Sequence, residues 1–228
     1  MGIHSLFDFL AYSIGTWLSW KIFKPSKALI LNETLRYAYY TVAIIGAVLG
    51  AILIGSLNIY YSLEVSENLV LGKSILGAIV GAVITIEIFK KIMKIKGSTG
   101  AYFVPSLTIG IAIGRVGCFL TGLDDYTYGI ETNFLLGYDF GDGVIRHPVQ
   151  LYESFTMSIF FIYVVYIYFK NKNYFEKNIF YQFILLYSTQ RFLWEFLKPY
   201  ETLYFGLNIF QFFCLGLILY AITYMRGI

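Results

Sequence analysis

The chain has 228 residues, 58% of them hydrophobic and 14% charged, with a formal net charge of +3 and a mean hydropathy of +0.67. Soluble domains carry about 25% charged residues, so an ordinary soluble protein is excluded, and a charge this small does not suggest a nucleic-acid partner. Two cysteines in different apolar runs, Cys118 and Cys214, exclude a disulfide scaffold and a CxxC metal site.

Runs long enough to cross a bilayer, about 20 residues each, recur at 4–22, 36–61, 74–93, 102–121, 148–169, 178–197 and 206–225. The expectation is an all-α integral membrane protein, with residues 1–228 forming a single domain of seven transmembrane helices. The first run has no basic stretch before it and no small-residue cleavage site, so it reads as a membrane helix and not a removed signal. Lys21, Lys24, Lys27 and Arg36 lie between runs one and two, and Lys90, Lys91, Lys94 and Lys96 follow run three. Lys170, Lys172 and Lys177 lie between runs five and six, and Arg226 ends run seven. The other side holds Lys73, Arg146 and Lys198 against Glu64, Glu67, Asp124, Asp125, Glu131, Asp139, Asp142 and Glu201. Lysine and arginine stay cytoplasmic, which predicts the N-terminus outside, the C-terminus inside and the loop 122–147 on the outer face. The Asn32-Glu33-Thr34 sequon then falls on the cytoplasmic side and is set aside.

Gly46/Gly50, Gly77/Gly81 and Gly110/Gly114 are small-xxx-small pairs, which let helix backbones approach closely in lipid. Pro105 and Pro148 open runs four and five, where a missing N–H costs least. Most of the 21 Phe and 21 Tyr residues read as lipid-facing or interfacial rings.

Once the basic residues at the run ends are set aside, six charged residues remain inside the runs: Asp8, Glu87, Arg115, Glu153, Arg191 and Glu195. Charges in such places are functional candidates. Glu87 precedes Lys90 and Lys91 at helical spacing and reads as a structural pair. Asp8 follows His4 by four residues, giving either an interfacial hydrogen-bonded pair or a site at the outer rim. Arg115 cannot discharge itself. Flanked by Gly114 and Gly117, which admit a large headgroup close to the backbone, it suits a lipid phosphate, or else pairs with Glu153 or Glu195. Tyr187, Arg191 and Glu195 recur every four residues and share one helix stripe, of which a plain Arg191–Glu195 pair explains two members but not Tyr187. His147, with Gln150 and Glu153 within two turns of it, suits a base near neutral pH, or else caps the helix start or binds the loop. No HxxxH or Cys/His cluster is present, so no metal site is expected.

Gly114-Arg115-Val116-Gly117-Cys118-Phe119-Leu120-Thr121-Gly122 resembles the G-R-[IV]-G-N-F-[IL]-N-G-E signature of the bacterial prolipoprotein diacylglyceryl transferases. His147-Pro148-Val149-Gln150-Leu151-Tyr152-Glu153 resembles that family's H-P-S-Q-L-Y-E. Tyr187 through Phe196 resembles its Y-x-x-x-R-F-x-x-E-F helix. The resemblance implies a multi-pass protein of the bacterial plasma membrane. It would move a diacylglyceryl group from phosphatidylglycerol to the lipobox cysteine of a prolipoprotein, with no metal or cofactor. It also implies roles. Arg115 would hold the lipid phosphate, and Arg191 and Glu195 would position the glycerol headgroup beside Tyr187.

Three departures stand out. Leu76 lies where the family carries a histidine, Cys118 replaces the signature asparagine, and Leu123 replaces the glutamate, with Asp124 and Asp125 directly after it. They keep open a phospholipid transferase with another acceptor and a non-catalytic lipid-binding protein. Cys118 reads as a small buried hydrophobe or as an acceptor in its own right. A transporter is the weakest reading, since paired broken helices are missing.

Overall fold

A computed structural model describes residues 2–23, 33–62 and 72–226. Seven α-helices lie among them: α1 (Ile3–Lys21), α2 (Glu33–Ser62), α3 (Ile75–Met93), α4 (Val104–Thr121), α5 (Val149–Lys170), α6 (Lys172–Glu195) and α7 (Ile209–Arg226). Six start within a few residues of the expected position. α6 starts six residues earlier than expected, because the Asn171 side chain caps it by accepting from the Tyr174 N–H at 3.0 Å. That cap draws the polar stretch Lys172–Lys177 into the helix. Lys24, Lys27, Asn32, Glu64 and Glu67 lie outside the described residues.

Among the described residues, four helical stretches are long and apolar enough to cross a membrane: α2, Ala101–Asp125 around α4, α5 and α7. α1, α3 and α6 are not; in α3 the carboxylate of Glu87 and the ammoniums of Lys90 and Lys91 crowd the last two turns.

The chain divides into two compact units. The first comprises Met1–Lys24, Ser98–Pro199 and Ala221–Ile228. In it α1 runs antiparallel to α4. A Cβ on Gly15 would touch Ser106, one on Gly117 would lie 2.5 Å from the Phe7 Cβ, and the Ser106 hydroxyl donates to Gly15 O at 2.7 Å. α5 returns along α4, with the Ser154 hydroxyl donating to Ala112 O at 2.8 Å. α6 returns along α5, with the Tyr163 hydroxyl donating to Gln182 Oε1 at 3.2 Å. This alternation brings the start of α1, the end of α4, the start of α5 and the end of α6 to one end of the unit. Val149, Met157, Val164, Phe183, Ile184 and Tyr187 are fully buried between the helices.

The loop 122–147 belongs to the same end. Gly122, at φ +75°, closes α4 in a conformation that glycine adopts without strain, and a 3₁₀ turn follows over Gly122–Asp125. Two short strands, β1 (Tyr138–Asp139) and β2 (Ile145–Arg146), pair antiparallel with Tyr138 opposite Arg146. Arg146 Nη1 donates to Asp142 at 2.7 Å, which holds that carboxyl below its ordinary range. The Gly129 N–H donates to His147 O at 3.0 Å and the Ile130 N–H to Leu197 O at 2.7 Å, so the loop is tied to both helix ends.

The second unit comprises Pro25–Gly97 and Tyr200–Tyr220. In it α2 and α3 meet through their glycines. A Cβ on Gly50 would lie 2.2 Å from Gly77 O, and one on Gly81 would lie 2.1 Å from Gly46 O. Gly110/Gly114 is different: a Cβ on Gly110 would find only Ala11 O at 3.9 Å, and one on Gly114 would find nothing within 4 Å. Two of the three glycine pairs are therefore packing contacts and the third is not. Gly50→Ala is expected to cost about 1–3 kcal/mol through overpacking, read as a lowered thermal midpoint in detergent; Gly110→Ala is expected to leave the midpoint unchanged. Glu87 has the structural role expected for it, pairing with Lys90 Nζ at 2.8 Å and accepting from the Tyr220 hydroxyl at 2.9 Å.

Candidate active site

Each candidate side chain is placed by helical spacing at the gathered end of the first unit. In α4, Arg115 and Cys118 are three residues apart near the C-terminus. In α5, Gln150 and Glu153 are three apart in the first turns. In α6, Tyr187, Arg191 and Glu195 descend the last turns at intervals of four. Residues spaced this way share a helix face.

Glu153 is the hub. Arg115 Nε lies 2.6 Å from its Oε2. Arg191 Nη1 and Lys198 Nζ donate to its Oε1 at 2.6 and 3.0 Å. Arg191 Nη2 also pairs with Glu195 Oε1 at 2.8 Å, and Lys198 Nζ approaches the same oxygen at 3.4 Å. All five residues are buried, none more than 6% exposed. The two guanidiniums thus meet at one place, and the anion between them is the Glu153 carboxylate. The alternative in which Arg115 pairs with Glu153 is the one the fold adopts, and the Arg191–Glu195 pair along α6 is likewise present.

The bonds are unequal. The Arg191 and Lys198 contacts to Glu153 are directed hydrogen bonds. The Arg115 Nε–H is not aimed at its carboxylate oxygen and makes an ion pair without a directed bond. Three cations face two carboxylates here, a formal surplus of one positive charge. In a low-dielectric setting that surplus favours an added anion.

Lys198 is the member that sequence reasoning missed. It was counted as a loop charge, although it stands three residues after Glu195 and so continues the stripe from Tyr187. Gln150, 1% exposed, has no hydrogen-bond partner for either amide atom among the described residues, and the same holds for the amide of Gln190. An unsatisfied buried amide costs about 1–3 kcal/mol, a cost that a polar ligand would remove.

Other candidates fall differently. Gly114 faces open space, as a headgroup-admitting glycine should, but the space beside Gly117 is filled by Phe7. His147 is held by the loop: Nδ1 lies 3.2 Å from the Tyr152 hydroxyl, its ring packs near Phe134, and its N–H donates to Ile130 O at 3.1 Å. No hydrogen bond or ion pair joins it to Arg115, Glu153, Arg191 or Glu195 among the described residues. Leu76 is buried in α3, in the other unit.

A second cluster adjoins the first. Arg115 Nη1 lies 3.9 Å from Cys118 Sγ, and Cys118 Sγ lies 3.8 Å from His4 Nε2. His4 also pairs with Asp8 through Nδ1 at 3.0 Å and with Asp125 through Nε2 at 3.3 Å. Sequence reasoning found the His4–Asp8 pair from its spacing. It did not find Cys118 or Asp125 beside it, because α1 and α4 are brought together only by the fold.

The family model for prolipoprotein diacylglyceryl transferase matches residues 2–226. A protein of Finegoldia magna named phosphatidylglycerol–prolipoprotein diacylglyceryl transferase is 34% identical over 165 residues, covering 70% of this chain and 64% of that protein. A protein of the same name from Ehrlichia ruminantium is 31% identical over 233 residues, covering 96% of this chain and 88% of that one. One from Clostridium tetani is 28% identical over 193 residues, covering 77% and 73%. No solved structure is significantly similar. With its three motifs converging on a single buried charge cluster, this chain belongs to the prolipoprotein diacylglyceryl transferase family.

Proposed function

We propose that this chain transfers a diacylglyceryl group from phosphatidylglycerol to a lipobox cysteine thiol of a prolipoprotein in the plasma membrane of a bacterium. The observation that carries the proposal is the buried cluster of Arg115, Arg191 and Lys198 around Glu153 and Glu195, with more cations than carboxylates. A phosphodiester adds one negative charge and balances it. Arg115, the guanidinium with no directed bond to Glu153, takes the phosphate, and open space beside Gly114 admits the headgroup. Glu195, Tyr187 and the buried amide of Gln150 then meet the glycerol hydroxyls.

In the transfer, the acceptor sulfur gives up its proton and forms a bond to the glycerol carbon. The bond from that carbon to the phosphate oxygen breaks, and glycerol phosphate leaves with the electron pair. Cations facing the phosphate stabilise the charge that develops on it. Held by Tyr152, His147 acts as the pivot that returns the loop to α5, or as a base toward the acceptor.

The proposed setting is seven spans, N-terminus outside and C-terminus inside, with 1–228 acting as one transferase. α1 supports this count although it is less apolar: 19 residues rise about 28 Å, close to the hydrocarbon thickness of about 30 Å. The test is complementation of a bacterium depleted of its own diacylglyceryl transferase, followed by gel shift of labelled prolipoprotein. Conversion by the wild type, and none by Arg191→Gln, is expected. Growth and conversion unchanged in the Arg191→Gln and Arg115→Gln variants would defeat the proposal.

One observation favours a second reading. The position of the family histidine is the buried aliphatic Leu76, so the base is missing from that place and another acceptor is open. A new glycerolipid in lipid extracts, with prolipoprotein unchanged, would select it; bound phosphatidylglycerol without turnover would select a non-catalytic lipid-binding protein.

A further inference from the structure

His4, Cys118 and Asp125 come from α1, from the last turn of α4 and from the 3₁₀ turn after it. One ligand atom from each lies within 4.8 Å of the others. One of the three, Cys118, sits at a departure from the family signature, where it replaces the asparagine; Asp125 lies two residues past Leu123, which replaces the glutamate.

The hydrogen bonding poses a problem that a cation solves. With Asp8 at 3.0 Å from His4 Nδ1, the neutral ring carries its proton on Nδ1. Nε2 then presents a lone pair, and what it faces is another acceptor, Asp125 Oδ1, at 3.3 Å, with Cys118 Sγ at 3.8 Å. Two lone-pair atoms converge on the same space. A ring proton, the Cys118 S–H donating to either atom, or a metal ion can fill that space.

The distances admit the metal. Zinc binds histidine nitrogen at about 2.0–2.1 Å, carboxylate oxygen at about 2.0–2.2 Å and thiolate sulfur at about 2.3 Å. Around a tetrahedral centre these lengths separate N from O by about 3.4 Å and N from S by about 3.5 Å. The observed 3.3 and 3.8 Å are close to those edges. A thiolate and an imidazole together select zinc over magnesium or calcium. Each donor also has an outer partner, as metal ligands do. Asp8 orients His4, the Thr127 hydroxyl donates to Asp125 Oδ2 and leaves Oδ1 available, and Arg115 Nη1 lies 3.9 Å from the sulfur.

We propose that His4 Nε2, Cys118 Sγ and Asp125 Oδ1 hold one zinc-class divalent cation and leave a fourth coordination position open beside Arg115. This departs from the expectation of a metal-free protein. Three protein ligands and one open position are the arrangement of a reactive zinc site, not a closed structural one. An open position beside the phosphate-binding arginine suits an incoming thiol, which loses its proton to solvent on binding and stays nucleophilic as the thiolate; this role rests on the transferase reading above.

The test uses the full-length protein in detergent, stripped with a chelator and reloaded with Zn²⁺. Elemental analysis is expected to find about one equivalent per chain, held by folding of the three donors into one place. His4→Ala, Cys118→Ser and Asp125→Asn are expected to lose it. Asp8→Asn, which touches no metal, is expected to weaken binding about 10–100-fold. Zn²⁺ at a hundred times its Kd is expected to raise the thermal midpoint of the wild type by roughly 5–10 °C and that of Cys118→Ser not at all. Cobalt substituted for zinc is expected to show a thiolate charge-transfer band that disappears in Cys118→Ser and shifts on adding a lipobox peptide, but not its serine counterpart.

Failure of the wild type to retain zinc, or equal retention by Cys118→Ser, would overturn the site and leave that space to a proton. A cobalt spectrum indifferent to the cysteine peptide would overturn the open position. None of these readouts involves turnover, so their failure is separable from failure of the transferase reading, which the Arg115 and Arg191 variants decide.

Discussion

Glu153→Gln is expected to be the most damaging single substitution in the protein. Its carboxylate is approached by Arg115 at 2.6 Å, Arg191 at 2.6 Å and Lys198 at 3.0 Å, all buried. A neutral amide leaves Arg191 and Lys198 facing Glu195 alone and Arg115 without its carboxylate. Breaking a buried ion pair from one side costs about 3–5 kcal/mol, and with three partners affected the upper end applies. For a chain of this size each kcal/mol moves the midpoint by about 2–4 °C, so a fall of roughly 10–20 °C is expected in a detergent melt. Removing a cation as well should restore part of the loss, because the two changes act on one network. Glu153→Gln combined with Arg115→Gln is therefore expected to melt above the single variant. A drop of only a degree or two in Glu153→Gln would mean that the cluster does not hold these helices.

Arg115→Gln is expected to show the opposite balance, a large loss of activity with a small loss of stability. Glu153 keeps its directed bonds from Arg191 and Lys198, so no buried charge is abandoned. On the proposed reading, what disappears is a guanidinium available to the phosphate as the leaving group develops charge. Removing one such donor costs about 10²–10³-fold in rate. Arg115→Lys keeps the charge but not the planar fork and is expected to fall between the two. Kinetics of labelled prolipoprotein conversion, measured beside the melting curves, checks both halves. Arg191→Gln is expected to damage both quantities, because Arg191 bridges Glu153 and Glu195. If Arg115→Gln lowered stability as much as Glu153→Gln while conversion persisted, Arg115 would be a structural member of the cluster and not a ligand of the lipid.

Much of this arrangement was legible in the residues. Hydrophobic run lengths located all seven helices, since a run of about 20 apolar residues has few other stable outcomes. The start of α6 was not legible from hydropathy, because Asn171 extends that helix through a polar stretch by capping it. Glycine spacing identified α2 and α3 as close neighbours but could not separate them from Gly110/Gly114: the same pattern serves a tight contact in one place and leaves open space in another. Arg115, Glu153, Arg191 and Glu195 stood out because charge inside an apolar run demands a reason. That they form one network was left among the alternatives, since a sequence does not say which carboxylate a guanidinium finds. Lys198 was hidden by lying just past the end of its run. His4, Cys118 and Asp125 share no local pattern; their proximity is a product of the antiparallel contact between α1 and α4.

The contact between Arg115 and Glu153 carries a consequence for how the site selects what enters it. An arriving phosphodiester finds no vacancy between the guanidiniums, because a carboxylate already stands there. On the proposed reading the phosphodiester is therefore taken up beside that resident, as a second counterion to the surplus cation, with Arg115 shared between the two. On that reading an uncharged lipid offers the surplus cation nothing, however well its acyl chains fit the surrounding bilayer.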